Sequence, residues 1–308
     1  MAEYQGIPIN YDVLPDEVKA AIDRDISQVD FGLRLRAGGT VTLNGSDLVI
    51  GGPSYEKNTF AFIALDKLEL KNNAKIITNG NTVVIFVNKL HSENCSIVSF
   101  SPADKRAKAG TSGSAVGESG RPGSPGDSGG IVAIHVIQEL HGTLNVNLDG
   151  QDGGHGGNGV KGSTGAEGPR GGDAADSNWP FPGCKHSGGD GGRGYSGGPG
   201  GHGGDAGHGG QGGQLFFYNV GAAPIPQASY TFVAAAGSPG NPGIGGAGGD
   251  GGRGGDGGHG STYCDGGNRG PNGYQGPNGD NGSQSLAGAA GLAVVKNLDF
   301  ELILRRLP

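Results

Sequence analysis

The chain has 308 residues, 69 of them glycine, with 33% hydrophobic and 6% aromatic residues, where ordinary glycine usage is about 7%. So small an apolar supply excludes a fold held together by side-chain burial alone. The net charge is −7 and the 22 Lys and Arg residues are scattered, which excludes the basic stripe that follows a phosphate backbone, so no nucleic acid partner is expected.

In chain order, the start "MAEYQGIPINYDVLPDEVKAA" has no basic segment followed by an apolar run, so no classical signal peptide is expected. No stretch approaches the roughly 18 apolar residues of a membrane span. Residues 14–26, "LPDEVKAAIDRDI", place Leu14, Val18, Ile22 and Ile26 on one helical face, with Pro15 at the first helical position and Asp16 and Glu17 in the first turn. A short amphipathic N-terminal helix is predicted within an N-terminal segment spanning 1–36.

From Gly39 the pattern changes to short runs of Val, Ile, Leu and Phe with turn residues between them. A unit of strand, turn and second strand recurs from Phe60, Val83, Ile131, Leu215 and Leu292. The expected base is all-β and solenoid-like, built of stacked strand pairs. It covers 37–101, continues through pairs at 131–148 and 214–236, and ends in a C-terminal pair at 292–308.

Between these units, over 102–291, glycine recurs at every third position: Gly150–Gly171, Gly188–Gly212 with Ala206 in one place, Gly237–Gly258, and Gly267–Gly291 with Ser285 as the exception. A shorter run spans Gly117–Gly129. A flexible tether needs no period; a repeated period is architecture. Threefold extended helices rise about 3.1 Å per residue, so the long runs would each reach roughly 70 Å. Four of nearly equal length suit out-and-back arms that project from the base and fold over at far loops, "DAADSNWPFPGCKHS" and "STYCDG".

Helices of this type make no internal hydrogen bonds and can bond side by side only where no Cβ intervenes. A GXX run offers one glycine face and a GGX run offers two. Residues 188–213 and 245–260 are therefore predicted to be interior, and 159–171 and 267–291 peripheral. Gly191, Gly194, Gly197, Gly200, Gly203, Gly246, Gly249, Gly252 and Gly255 are the predicted packing positions. Asp190, Arg193, His202, Asp205 and His208 fall on a solvated edge.

Three cysteines are too few for a disulfide framework. Cys184 and Cys264 fall one in each far loop and are expected at the same tip, where an oxidising setting would allow a disulfide. Cys95 lies in the base as an inert buried thiol.

The runs "GGDGGRGG", "GGHGGDAGHGGQGG" and "GSPGNPGIGGAGG" resemble those of polyglycine II bundle proteins, which include the receptor-recognising adhesins at the tail-fibre tips of T-even-like phages and glycine-rich antifreeze proteins of arthropods. The resemblance spans residues 107–291. It implies that loops at the far end of the bundle touch a receptor, which here means the loops around Trp179 and Tyr263.

A collagen triple helix fits poorly, because prolines are few and the triplet runs are broken by apolar strands. Ice binding would call for a flat regular face of small or threonine residues, whereas the X positions mix Asp, Arg, His, Asn and Gln. His155, His202, His208 and His259 recur near Asp, but residues three apart on such a helix lie roughly 9 Å apart, too far to share one ion. No nucleophile–base constellation, metal site or cofactor is expected, and no catalysis.

Two functional readings follow. One is an extracellular structural subunit that assembles with itself into a filament or layer through its strand base and packed glycine helices. The other is an adhesin presenting Trp179, Phe181, His186, Tyr263, Asn268 and Arg269 to a cell-surface protein or glycan. Either would work outside the cell or on a virion surface.

Overall fold

The structure, a computed structural model, describes residues 31–50, 60–177, 180–219 and 227–297. The predicted helix at 14–26, Trp179 and residues 298–308 lie outside them.

The strands are β1 (Phe31–Asn44), β2 (Leu48–Val49), β3 (Phe60–Lys71), β4 (Lys75–Ile77), β5 (Thr82–Val98), β6 (Ile131–Asn147), β7 (Ala175–Ser177), β8 (Gly183–His186), β9 (Gln214–Asn219), β10 (Tyr230–Val233) and β11 (Leu292–Asn297). Nine of them form one sheet with the path β1-β3-β5-β6-β9-β11, in which β10 pairs with β6, and β4 joins β2 to β5. Every pairing in that sheet is parallel.

This corrects the expected base, which is not a solenoid of stacked strand pairs. The segments taken for strand, turn and strand in the units from Val83 and Ile131 are single strands of 17 residues, β5 and β6, paired in parallel along both halves. What looked like a turn is a bend within the ladder. Gly142 (φ 82°) and Asn94 (φ 56°) mark it, with a register shift between Glu93 and Cys95. A Cβ at Gly142 would stand 2.1 Å from the Ser92 carbonyl oxygen, so only glycine fits. Asn tolerates the left-handed region better than other side chains.

The alternation on either side of the bend builds the core. Val83, Ile85 and Val87 of β5, Val132, Ile134 and Val136 of β6, and Leu215 and Phe217 of β9 are buried together with Ile97, Leu144, Val146 and Leu148 from beyond the bend. Burying an aliphatic or aromatic side chain of this kind contributes about 1.5–3 kcal/mol.

A parallel sheet needs long connections to bring the chain back to the start of the next strand. Here the glycine-rich runs supply them, in six rods: 107–117 and 118–129 between β5 and β6, 148–172 and 188–213 between β6 and β9, 235–259 and 265–291 between β10 and β11. Each of the two long pairs ends where it began: the Gly213 N–H donates to the Leu148 carbonyl (2.6 Å) and the Gly291 N–H to that of Ala234 (2.8 Å).

The rods bond one another through every third residue. Outward rods run parallel to outward rods: Gly153, Gly156 and Gly159 donate to the carbonyls of Ser238, Asn241 and Ile244. Returning rods do likewise, with Gly191, Gly194 and Gly197 donating to Asn268, Pro271 and Tyr274. Outward and returning rods are antiparallel, as where Gly246, Gly249 and Gly252 donate to Gly201, Gly198 and Tyr195.

Residues 188–213 stand between the rods at 118–129, 148–172, 235–259 and 265–291, whereas 265–291 touches only two rods. Nearly all these glycines are sterically required. A Cβ at Gly194, Gly200 or Gly252 would stand 2.0, 2.0 or 1.8 Å from a carbonyl oxygen of the next rod.

The glycine doubling follows cover. Gly154 and Gly157 face the carbonyls of Lys108 and Thr111, which a Cβ would approach to 2.1 Å. The short arm turns back at Gly117 (φ 73°). Beyond it, the corresponding positions of the third rod carry Ser163, Ala166 and Pro169, all exposed.

Candidate functional site

Rods of 22 or more residues, at about 3.1 Å each, place their far loops roughly 70 Å from the sheet. Three devices hold that end together. Cys184 and Cys264 form a disulfide with Cα atoms 4.9 Å apart across 80 positions of sequence. β7 and β8 form a small antiparallel hairpin, braced by the Ser177 hydroxyl, which donates to the carbonyls of Phe181 (3.2 Å) and Gly183 (3.1 Å). Asp176 joins this hairpin to the other loop, accepting from the Ser261 hydroxyl and from the N–H groups of Thr262 and Tyr263 (both 3.2 Å).

On this clamped frame two aromatic side chains face solvent, Phe181 at 84% and Tyr263 at 55% exposure. Lys185 and His186 are exposed beside them on β8. Asn268 and Arg269, expected at the tip, lie where the last rod begins. The Asn268 N–H donates to Asp190 Oδ1 (2.7 Å) and its carbonyl accepts from Gly191, while the Arg269 guanidinium pairs with Asp256 (2.7 Å). The tip that the structure assembles is therefore Phe181, Tyr263, Lys185 and His186. Asp176, which fastens its two loops, went unnoticed in the sequence.

A signal for Asp176 existed in the spacing. Along the bundle the side chains of Asp149, Asp152, His155 and Asn158 each accept from the backbone N–H 86 residues ahead, at Ala235, Ser238, Asn241 and Ile244. Asp173 does the same for His259, and Asp176 continues the rule with Thr262. Asp190, His202, Asp205 and His208 serve the returning rods in the same way, with an offset of 78, accepting from Asn268, Asp280, Ser283 and Leu286.

Short acceptors at the X positions thus satisfy the donors that the rod-to-rod ladder leaves over. In the returning rods, where the X residue cannot accept, at Arg193 and Pro199, the residue 78 positions on is Pro271 or Pro277, which has no N–H to satisfy. The last rod answers in the other direction: Asn272, Asn278 and Asn281 accept from Gly254, Gly248 and Gly245.

At three carboxylates, Asp173, Asp205 and Glu118, hydrogen bonds favour the charged form. The His259 N–H keeps Asp173 below the usual carboxylate range, helped by Arg170. The Ser283 N–H, then its hydroxyl, does so for Asp205, and the backbone N–H groups of Ala115 and Ser114 do so for Glu118 at the turn of the short arm.

They also explain the recurrent histidines. The Nδ1 atoms of His155, His202 and His208 already accept backbone N–H groups. Among the described residues no group of three or more His, Cys, Asp or Glu side chains is placed to hold a metal ion, and no helix is long and apolar enough to cross a membrane.

The sheet carries one further cluster on the face away from its core. Phe86, His135 and Tyr218 occupy the same register on β5, β6 and β9, with ring centroids 4.2 Å apart for Phe86 and His135 and 4.9 Å for His135 and Tyr218. Burial in this stack pushes the His135 imidazole down to about 4.

No family model matches the chain, and no curated protein matches it. Among solved structures it is similar to the nine polyproline type II helical bundle springtail antifreeze protein from Granisotoma rainieri, at 22% identity over 57% of this chain and 94% of that one, with a TM-score of 0.09. A likeness of that size carries no argument.

Proposed function

We propose that the protein is a binding module that works outside the cell or on a virion surface, its glycine bundle acting as a stiff arm that holds a recognition tip away from the sheet. The observation that carries this reading is the combination at the far end: two loops clamped by a disulfide and by Asp176, with Phe181 and Tyr263 turned to solvent. Aromatic rings on a rigid frame bring a large contact area at little entropic cost, which suits a glycan or a protein surface. A disulfide fits an oxidising environment. No catalysis and no cofactor are ascribed to the site.

The test is adsorption of the labelled protein to a glycan array and to intact cells, with Phe181→Ala/Tyr263→Ala compared against a variant altered only on the sheet, Lys67→Ala. Binding that the tip variant loses and the sheet variant keeps supports the reading. Equal binding by all three, or none by any, sinks it.

Self-assembly into a filament, the other reading, would need a free template. The glycine faces are engaged within one chain; what favours assembly is that, among the described residues, β1 and β11 each pair on one side only.

A further inference from the structure

The rod at 118–129 lies in a seat between the rods at 148–172 and 188–213. Its Gly120, Gly123 and Gly126 donate to the carbonyls of His202, Asp205 and His208, and its Glu118, Arg121 and Ser124 carbonyls accept from Val160, Gly157 and Gly154. The short arm ends at its turn, but the two rods that form the seat run on towards the tip. Next in the two series come the N–H groups of Ser163 and Ala166 and the carbonyls of Pro199, Ser196 and Arg193. Among the described residues none of these five bonds another backbone group.

Side chains return where the seat is empty. Every third residue from Gly189 to Gly213 is glycine except Tyr195, which is 61% exposed. Its N–H donates to the Ala166 carbonyl (2.9 Å), so it stands level with a small residue of the facing rod. Pro169 and Ser163 lie over the glycines on either side: a Cβ at Gly192 would stand 2.6 Å from Pro169 Cγ, and one at Gly198 2.5 Å from Ser163 Oγ. Ser163, Ala166, Pro169 and Ser196 are all exposed and uncharged. The guanidinium of Arg193 is turned away to the Tyr274 ring (4.7 Å) and the Asn272 carbonyl (3.2 Å).

A further glycine rod does not fit this stretch. A Cβ at Gly201 would stand 1.9 Å from the Glu118 carbonyl oxygen, and Tyr195 carries such a Cβ two steps further along the same row. A chain bonded to the seat as 118–129 is would collide with it. Proline-rich peptides dock in grooves lined by aromatic rings, whereas a single ring stands in this seat. What the stretch offers is one uncovered ring bordered by open N–H and C=O groups. We propose that Tyr195 is the floor of a binding site for a neutral saccharide on the side of the shaft. The ring packs against the CH face of a sugar, whose hydroxyls, each both donor and acceptor, bond the Ser163 and Ala166 N–H groups and the Ser196 carbonyl. Seven residues from Gly188, at about 3.1 Å each, place Tyr195 roughly 20 Å down the shaft, so the site is separate from the tip and does not depend on it.

The experiment is affinity electrophoresis of the full chain in native gels containing soluble starch, dextran, xylan or galactomannan, with decaproline offered in parallel by calorimetry. It compares wild type, Tyr195→Ala, Tyr195→Phe and the tip variant Phe181→Ala/Tyr263→Ala, each first shown by thermal melting to be folded. The expected result is that at least one polysaccharide retards wild type, that Tyr195→Ala weakens this by about tenfold or more, and that Tyr195→Phe, which keeps the ring, and the tip variant both retain it. Retardation that survives in Tyr195→Ala would overturn the proposal, as would its loss in the tip variant, its absence from every gel, or decaproline binding through Tyr195 in place of any polysaccharide.

Discussion

The sheet and the glycine bundle solve the same problem by opposite means. In the sheet the backbone ladder is ordinary, and the space beyond it is filled by Val, Ile, Leu and Phe side chains, with Phe217 and Ile134 fully buried. In the bundle there is no such filling; rods approach until one backbone touches the next, and the Cβ that a core residue requires is the atom that cannot be present. Each backbone hydrogen bond contributes only about 0.5–1.5 kcal/mol net, and ordering glycine costs about 0.5–1 kcal/mol more than ordering alanine. Cohesion there depends on every third residue bonding along the whole length. A core can lose one side chain and persist; a lattice of backbones tolerates almost no addition.

That contrast sets the largest expected effect. Gly252→Val would place a Cβ 1.8 Å from the Ala166 carbonyl oxygen, and the rods at 148–172 and 235–259 must part. Amide hydrogen exchange should show loss of protection along both rods while β5 and β6 stay protected. Gly172→Ala is the matched control, since nothing lies within 4 Å of its would-be Cβ; it should melt like wild type. Protection surviving in Gly252→Val would refute backbone packing as the cohesive force.

Next in size, Phe217→Ala removes the largest buried side chain of β9 and should cost about 3–5 kcal/mol in denaturant unfolding of the sheet. A loss below about 1 kcal/mol would mean that the sheet, like the bundle, relies on its ladders.

A smaller effect should appear with acid. Burial holds the His135 imidazole near 4, below the ordinary value of about 6.5. The unfolded chain therefore takes up a proton first, and the stability contributed by the neutral ring, complete above about pH 6.5, falls as the pH drops towards 4. His135→Phe keeps a ring between Phe86 and Tyr218 and should flatten melting temperature against pH in that window. An unchanged slope would mean that His135 does not set the acid sensitivity in that window.

The smallest effect concerns the donors left over between rods. Asn278→Ala removes the acceptor for the Gly248 N–H (2.9 Å) and should cost about 1 kcal/mol. Asn278→Asp should restore most of it, because a carboxylate accepts as well.

Much of this architecture could be read in the residues one after another. The period of three, the doubled glycines at 188–213 and the side chains that return at Ser163 and Ala166 record where a neighbouring rod lies, because exclusion of a Cβ is a local, all-or-none constraint. The two far loops with their cysteines were legible for the same reason, since equal run lengths bring equal ends together. The base was misread: the units from Val83 and Ile131 show apolar, polar and apolar stretches whether the chain turns into a new strand or bends within one. Only the left-handed backbone at Asn94 and Gly142 and the continuous pairing of β5 with β6 separate the two.

What the sequence by itself determined is which positions can touch backbone and which must face water, for these depend on whether a residue has a Cβ, an acceptor or an N–H. The tertiary structure alone decided which partner each position meets. Asp176 reaches the loop 86 residues ahead, and Pro277 stands opposite Pro199. Such pairings depend on the summed lengths of arms and strands that separate the partners, and no single stretch of the chain contains that sum.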